Sequence, residues 1–179
     1  MRQLADAIRI RSFMRELGRE ARAPAHVYLT GGATAVLLGW RPSTIDIDVK
    51  LVPDADALLR AIPALKERLQ VNVELASPAD FIPVREGWED RSAFIAQEGL
   101  VTFRHFDFEA QALSKIERGH AQDQADVREM LRRGLVDAEG LRRAYEAIEP
   151  GLYRFPAVDA ASFRRAVERA LRDADAGDA

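Results

Sequence analysis

Two short runs in this chain combine residue types that could do chemistry together. The first is Gly31-Gly32-Ala33-Thr34 and the second is Asp46-Ile47-Asp48, with thirteen residues between Gly32 and Asp46. Successive glycines permit positive φ and let a ligand approach the backbone closely. Carboxylates spaced i, i+2 on a strand point to the same face. There they repel one another unless a cation lies between them. Mg²⁺ takes carboxylate and phosphate oxygens, so the chemistry implied is that of a phosphate and a divalent cation.

The elements around these runs must present them. His26 to Thr30 has the β-branched and aromatic character of a strand. Ala33 to Leu38 reads as a short buried helix with Gly39 as its stop. A helix entered through a diglycine turn aims free N–H groups at a bound anion such as a triphosphate. Ile45 to Leu51 reads as a second strand, with Asp46, Asp48 and Lys50 on one face. Ile45, Ile47, Val49 and Leu51 are expected on the core face. Glu74, in Val71-Asn72-Val73-Glu74-Leu75, has apolar neighbours on both sides and so faces away from the core of a third strand.

Together these residues resemble the nucleotidyltransferase superfamily of the DNA polymerase β type. Within it they are most similar to the minimal bacterial group that includes the AbiEii-type abortive-infection toxins and related nucleotidyltransferase-like proteins. Arg41, Ser43 and Thr44 stand where that group has an arginine and a Ser/Thr just before Asp-x-Asp. Glu74 stands at the third carboxylate. Lys115 and Arg118, followed by Asp123 and Asp126, match the pattern these relatives carry on later helices. The resemblance covers residues 25 to 135 and departs from the family in two places. No hydroxyl directly follows the glycines, leaving Thr34 to supply one, and the third carboxylate is Glu rather than Asp.

The resemblance implies a Mg²⁺-dependent transfer of a nucleoside monophosphate from an NTP to a hydroxyl of a protein or RNA acceptor. A toxin paired with an antitoxin falls within that class. The alternative is a nucleotide-binding module of the same fold with little or no turnover. The implied catalytic set is Asp46, Asp48, Glu74, Lys115 and Asp126, the first three also holding metal. Gly31, Gly32, Thr34, Arg41, Thr44, Lys115 and Arg118 would hold the nucleotide. Lys115 would reach a phosphate, with Asp126 orienting it or acting on the acceptor.

Each feature has a plainer reading. A diglycine fits any tight turn, and Asp46 with Asp48 fits the solvated face of an edge strand. Lys115, Arg118, Asp123 and Asp126 fit a surface ion-pair network, which contributes little to stability. Trp40, Phe81, Trp88 and Phe94 read as core or lid packing, with Trp88 the one to consider as a base or acceptor contact. His105 reads as structural.

Composition bounds these readings. The 179 residues suit one domain with a substantial core, or a core with a helical appendage. With no cysteine there is neither a disulfide nor Cys-ligated zinc. A net charge of −3 gives no bulk attraction to nucleic acid. No apolar run approaches the roughly 20 residues of a membrane span, and no signal core opens the chain, so a cytoplasmic protein is expected. The fold expected is α/β (α+β), a small mixed sheet with a nucleotidyltransferase-type βαβ core and a C-terminal helical region. Residues 1–107 would form the core with an N-terminal helix over 2–21, carrying Leu4, Ile8, Phe13 and Leu17 as its apolar positions. A crossover helix is expected over 54–69 with Asp54 as N-cap and Pro63 interrupting it, a loop over 77–90, and a hairpin around Glu98-Gly99. Residues 108–179 would pack on that core as helices over 108–118, 121–133, 137–147 and 159–173, followed by a frayed tail over 173–179.

Overall fold

The computed structural model describes residues 3–177. Their contacts divide the chain into two compact units, Met1–Ser77 with Ser92–Phe106, and Pro78–Arg91 with Asp107–Ala179. The segment 78–91, expected in the first unit, belongs to the helical one.

The first unit is a mixed five-stranded sheet backed by helices. In chain order it contains α1 (Ala7–Glu20), β1 (Ala25–Thr30), α2 (Gly31–Leu37), β2 (Asp46–Val52), α3 (Asp56–Leu69), β3 (Asn72–Leu75), β4 (Phe94–Glu98) and β5 (Val101–His105). The strand order is β3-β2-β1-β5-β4. β1 runs antiparallel to β2 and parallel to β5, β2 runs parallel to β3, and β4 with β5 forms the expected hairpin. The parallel β2–β3 pair needs a crossover, and α3 supplies it, passing through Pro63 without a break. Pro63 lies in the second turn of that helix.

The core lies on one face of the sheet. Val27, Leu29, Ile47, Val49, Val73 and Phe103 meet Ile10, Phe13, Met14 and Leu17 of α1 and Leu58, Ile62 and Leu65 of α3. Positions 10, 13, 14 and 17 form an i, i+3, i+4, i+7 stripe. Leu4 and Ile8, expected on that stripe, are exposed instead, Ile8 at 76%. Leu4 lies ahead of the helix, whose N-cap is Asp6, its carboxylate accepting from the Arg9 N–H at 2.9 Å. Ile8 is inside the helix but, five residues before Phe13, falls off the stripe at about 3.6 residues per turn. Ala5 precedes the helix in an extended bridge with Thr44. The first residue of the expected helix, residue 2, lies outside the described residues. Ile45 is likewise 70% exposed, because β2 begins one residue later and burial alternates from Ile47 onward. Asp54 does not cap α3; Ala55 holds that position without a side-chain hydrogen bond. Gly18 lets α1 approach β4, since a Cβ there would fall 2.5 Å from the Glu98 carbonyl oxygen.

The second unit contains α4 (Trp88–Arg91), α5 (Phe108–Arg118), α6 (Ala121–Arg132), α7 (Ala138–Ile148) and α8 (Ala160–Gly177). One turn of 3₁₀ helix forms at Pro78–Asp80 and a longer one at Glu149–Arg154. The expected loop over 77–90 is thus partly helical, and α8 continues to Gly177, through most of the tail expected to fray; 178 and 179 lie outside the described residues. Leu113, Ile116, Val127, Met130, Leu141, Ala144, Ile148, Phe163 and Val167 are buried. Tyr145 meets Phe163 edge to face, with ring centroids 5.2 Å apart. Phe81 and Phe94, expected as packing residues, are exposed. No helix among the described residues is long and apolar enough to cross a membrane.

Candidate active site

The face of the sheet opposite the core carries the carboxylates. Because β2 and β3 are parallel and in register, Asp46 pairs with Asn72 and Asp48 with Glu74. Paired residues on adjacent strands project to the same face, so all four side chains stand together. The Asn72 amide donates from Nδ2 to Asp46 Oδ1 at 2.6 Å and to Glu74 Oε1 at 3.3 Å. Asn72 was not anticipated as a site residue. Its position two before Glu74, on the same strand face, was the available signal.

The diglycine meets this face at the end of β1. Thr30 pairs with Asp48, so the next residue, Gly31, stands beside that carboxylate. Gly31 has φ +60, and a Cβ there would lie 3.0 Å from Asp48 Oδ2. Gly32 is bounded more tightly: a Cβ would fall 2.0 Å from Thr44 Oγ1 and 3.4 Å from Arg41 Nη1. The Thr44 hydroxyl donates to the Asp46 carbonyl at 3.1 Å, and its backbone exchanges hydrogen bonds with Ala5 at 2.8 and 2.9 Å. Gly31, Gly32, Arg41, Thr44, Asp46 and Asp48 therefore form one connected neighbourhood.

Thr34 has a different place. Because α2 begins at Gly31 rather than Ala33, Thr34 turns into the interior and is 1% exposed. Its hydroxyl donates to the Leu29 carbonyl at 3.3 Å and lies 3.0 Å from His105 Nδ1. This corrects the expectation that Thr34 supplies the hydroxyl missing after the glycines. His105 is buried on the Leu29 side of the sheet, as its structural reading requires. Burial, with the nearby Arg11 charge, lowers its pKa to about 4, so the ring is neutral at pH 7.

In the helical unit, Lys115 of α5 and Asp126 of α6 are held 2.6 Å apart, and Asp123 lies 3.6 Å from the same ammonium. Arg118 binds Asp123 through Nε at 2.8 Å and also through Nη2. Burial opposes ionisation of Asp123, but the hydrogen bond and charge of Arg118 and the charge of Lys115 outweigh it and lower its pKa. Lys115, Asp123 and Asp126 are buried, which corrects the surface reading of this network. Elsewhere in the unit, Arg85 pairs with Glu109 at 2.6 Å and Arg91 with Asp107 at 3.1 Å. These pairs fasten the 78–91 segment to the start of α5.

Asp46, Asp48 and Glu74 offer only hard oxygen donors, the class that suits Mg²⁺. As arranged, no group of three His, Asp or Glu side chains among the described residues is gathered to grip a metal ion. The donor chemistry fits a divalent cation, and the Asn72 amide links two of the three carboxylates.

Gly31 and Gly32 thus open the helix between antiparallel β1 and β2, and Asp46, Asp48 and Glu74 stand on the in-register parallel pair β2–β3, an α+β arrangement that agrees with the nucleotidyltransferase resemblance of the sequence. Residues 6–170 match the family described as Nucleotidyltransferase of unknown function (DUF6036), and the chain belongs to that family. Searches of curated proteins and of solved structures returned no match.

Proposed function

We propose that this protein is a Mg²⁺-dependent nucleotidyltransferase that moves a nucleoside monophosphate from an NTP to a hydroxyl of a protein or RNA acceptor. The observation that carries the reading is the shared face of Asp46, Asp48 and Glu74, with Gly31 directly beside Asp48. In this reading Gly31 and Gly32 admit the phosphates close to the backbone, and Arg41 neutralises their charge. Asp46, Asp48 and Glu74 would hold the divalent cation. When bound, it would supply charge stabilisation at the attacking and leaving oxygens. The acceptor oxygen forms a bond to the α-phosphorus as the α–β bridging P–O bond breaks. Pyrophosphate leaves with that electron pair, and Glu74, exposed at the rim, takes the acceptor's proton. An NTP donor also argues for work in the cytoplasm.

The test is incubation of the purified protein with each α-³²P-labelled NTP and Mg²⁺, with and without cell extract. Label transferred by the wild type but not by Asp48→Asn supports the reading and identifies both base and acceptor class. Transfer retained in Asp48→Asn overturns it. A toxin role further requires growth arrest on induction that Asp46→Asn relieves and an antitoxin partner that restores growth.

One observation favours the second reading, a binding module with little turnover. The first hydroxyl after the glycines, that of Thr34, is engaged inside the first unit with Leu29 and His105. Nucleotide binding without transfer to any acceptor would select this alternative.

A further inference from the structure

The three carboxylates differ in how firmly they are placed. Asp46 and Asp48 stand on a central strand between β1 and β3, and both are partly buried. Glu74 is exposed on the edge strand β3. An exposed Glu samples many rotamers, and fixing it costs on the order of 1.5 kcal/mol in side-chain entropy. Something must offset that cost if Glu74 is to act at a fixed place.

Asn72 meets this need through two relationships at once. It is the cross-strand partner of Asp46 and the same-face neighbour, two residues back, of Glu74. Its amide donates to both carboxylates. A neutral donor suits this position better than the alternatives. A lysine would occupy the place of the cation, and an aspartate would add a third negative charge to the pair. The shorter bond goes to Asp46 and the longer to Glu74. The amide is therefore anchored on the rigid carboxylate and steers the mobile one. The second oxygen of each carboxylate remains as a donor for a cation.

We propose that Asn72 is a positioning residue that holds Glu74 to Asp46 across the β2–β3 register, so that Glu74 joins the divalent-cation site. This rests on the cation site proposed above. Outer partners of this kind typically contribute about 10- to 100-fold to metal affinity.

The experiment is Mn²⁺ binding to the nucleotide-free protein, read as loss of the free-ion electron paramagnetic resonance signal. It compares the wild type, Asn72→Ala, Glu74→Gln, Asp48→Asn and the Asn72→Ala/Glu74→Gln double variant, each first checked for native circular dichroism. Asn72→Thr, a good strand former without the amide, replaces Asn72→Ala if the latter fails to fold. The expected result is that losing the amide weakens Mn²⁺ binding by about tenfold in the wild-type background, and by clearly less once Glu74 is Gln. Wild-type binding that Asp48→Asn abolishes but Asn72→Ala leaves within about twofold overturns this inference alone. An equal loss in both backgrounds also overturns it, because the amide would not then act through Glu74. No Mn²⁺ binding by the wild type overturns the cation site itself, and the inference with it.

Discussion

Nζ of Lys115 lies 2.6 Å from Oδ2 of Asp126, and both side chains are almost wholly withdrawn from water. A buried pair of this kind is asymmetric in its energetics. Its formation stabilises little, but removing one partner strands the other. Asp123 also faces Lys115, so the lysine would keep a partial counterion in an Asp126 variant. Asp126→Ala is therefore expected to destabilise the helical unit by about 3 kcal/mol, at the low end for a broken buried pair. Lys115→Met, which leaves two buried carboxylates against each other, is expected to cost at least as much. Urea unfolding followed by circular dichroism checks both. If either variant melts like the wild type, the pair is not buried as described.

Gly32 has no room for a side chain. A Cβ would fall 2.0 Å from Thr44 Oγ1 and 2.7 Å from Thr44 Cβ. Thr44 cannot easily yield, being held by two backbone bonds to Ala5 and one side-chain bond to the Asp46 carbonyl. Gly32→Ala is expected to cost about 1–3 kcal/mol, the usual range for overpacking. Gly31→Ala, at φ +60 and close to Asp48, is expected to cost about 1–2 kcal/mol from backbone strain. Thermal melting of the two variants measures both.

Two substitutions at the carboxylates should separate chemistry from folding. Asp46 and Asp48 project from the face opposite the core, so Asp46→Asn and Asp48→Asn are expected to melt like the wild type. Each should lower nucleotidyl transfer about a hundredfold or more, the scale of removing one preorganised electrostatic group. EDTA should abolish the wild-type activity, and added Mg²⁺ should restore it. Full activity in EDTA would argue against any cation at this face.

His105 should make stability depend on pH. Its pKa is lowered from 6.5 to about 4 in the folded chain. Below pH 6.5 the unfolded chain takes up a proton that the folded chain refuses until about pH 4, so protons favour unfolding across that window. Stability is expected to be full above pH 6.5 and to fall as pH drops, by at most about 3 kcal/mol from this group. Urea midpoints at pH 7 and pH 5 test this. His105→Gln, which keeps a polar partner for Thr34 but cannot titrate, should flatten the difference.

Much of the first unit was legible because its strands obey simple alternation. Ile47, Val49 and Leu51 are buried and Asp46, Asp48 and Lys50 point the other way, as a period of two requires. The α5 limits, Phe108–Arg118, follow from an amphipathic run closed by Gly119 at φ +71. The departures have long-range causes. Ile45 and Leu4 have core-like chemistry, but the Ala5–Thr44 bridge decides where β2 and α1 begin. Thr34 could not be placed because one shift in the start of a seven-residue helix rotates every position on it. Asp123 and Asp126 read as surface charges because burial of an ion pair depends on helices distant in sequence. Asn72 went unremarked because an asparagine on a short strand gains meaning only once β2 lies beside it.

The residues ahead of α1 are fastened at two places. The Gln3 N–H donates to the Gln70 carbonyl at 2.7 Å, and Ala5 bridges Thr44. Gln70 stands two residues before the strand that bears Glu74, and Thr44 two residues before Asp46. A few amino-terminal residues thus clasp the approaches to both carboxylate-bearing strands from behind. A chain whose translation began at Ala7 would encode every acidic group of the face and yet lack this clasp. Loosening the clasp would therefore disturb both carboxylate-bearing strands without altering a single acidic residue.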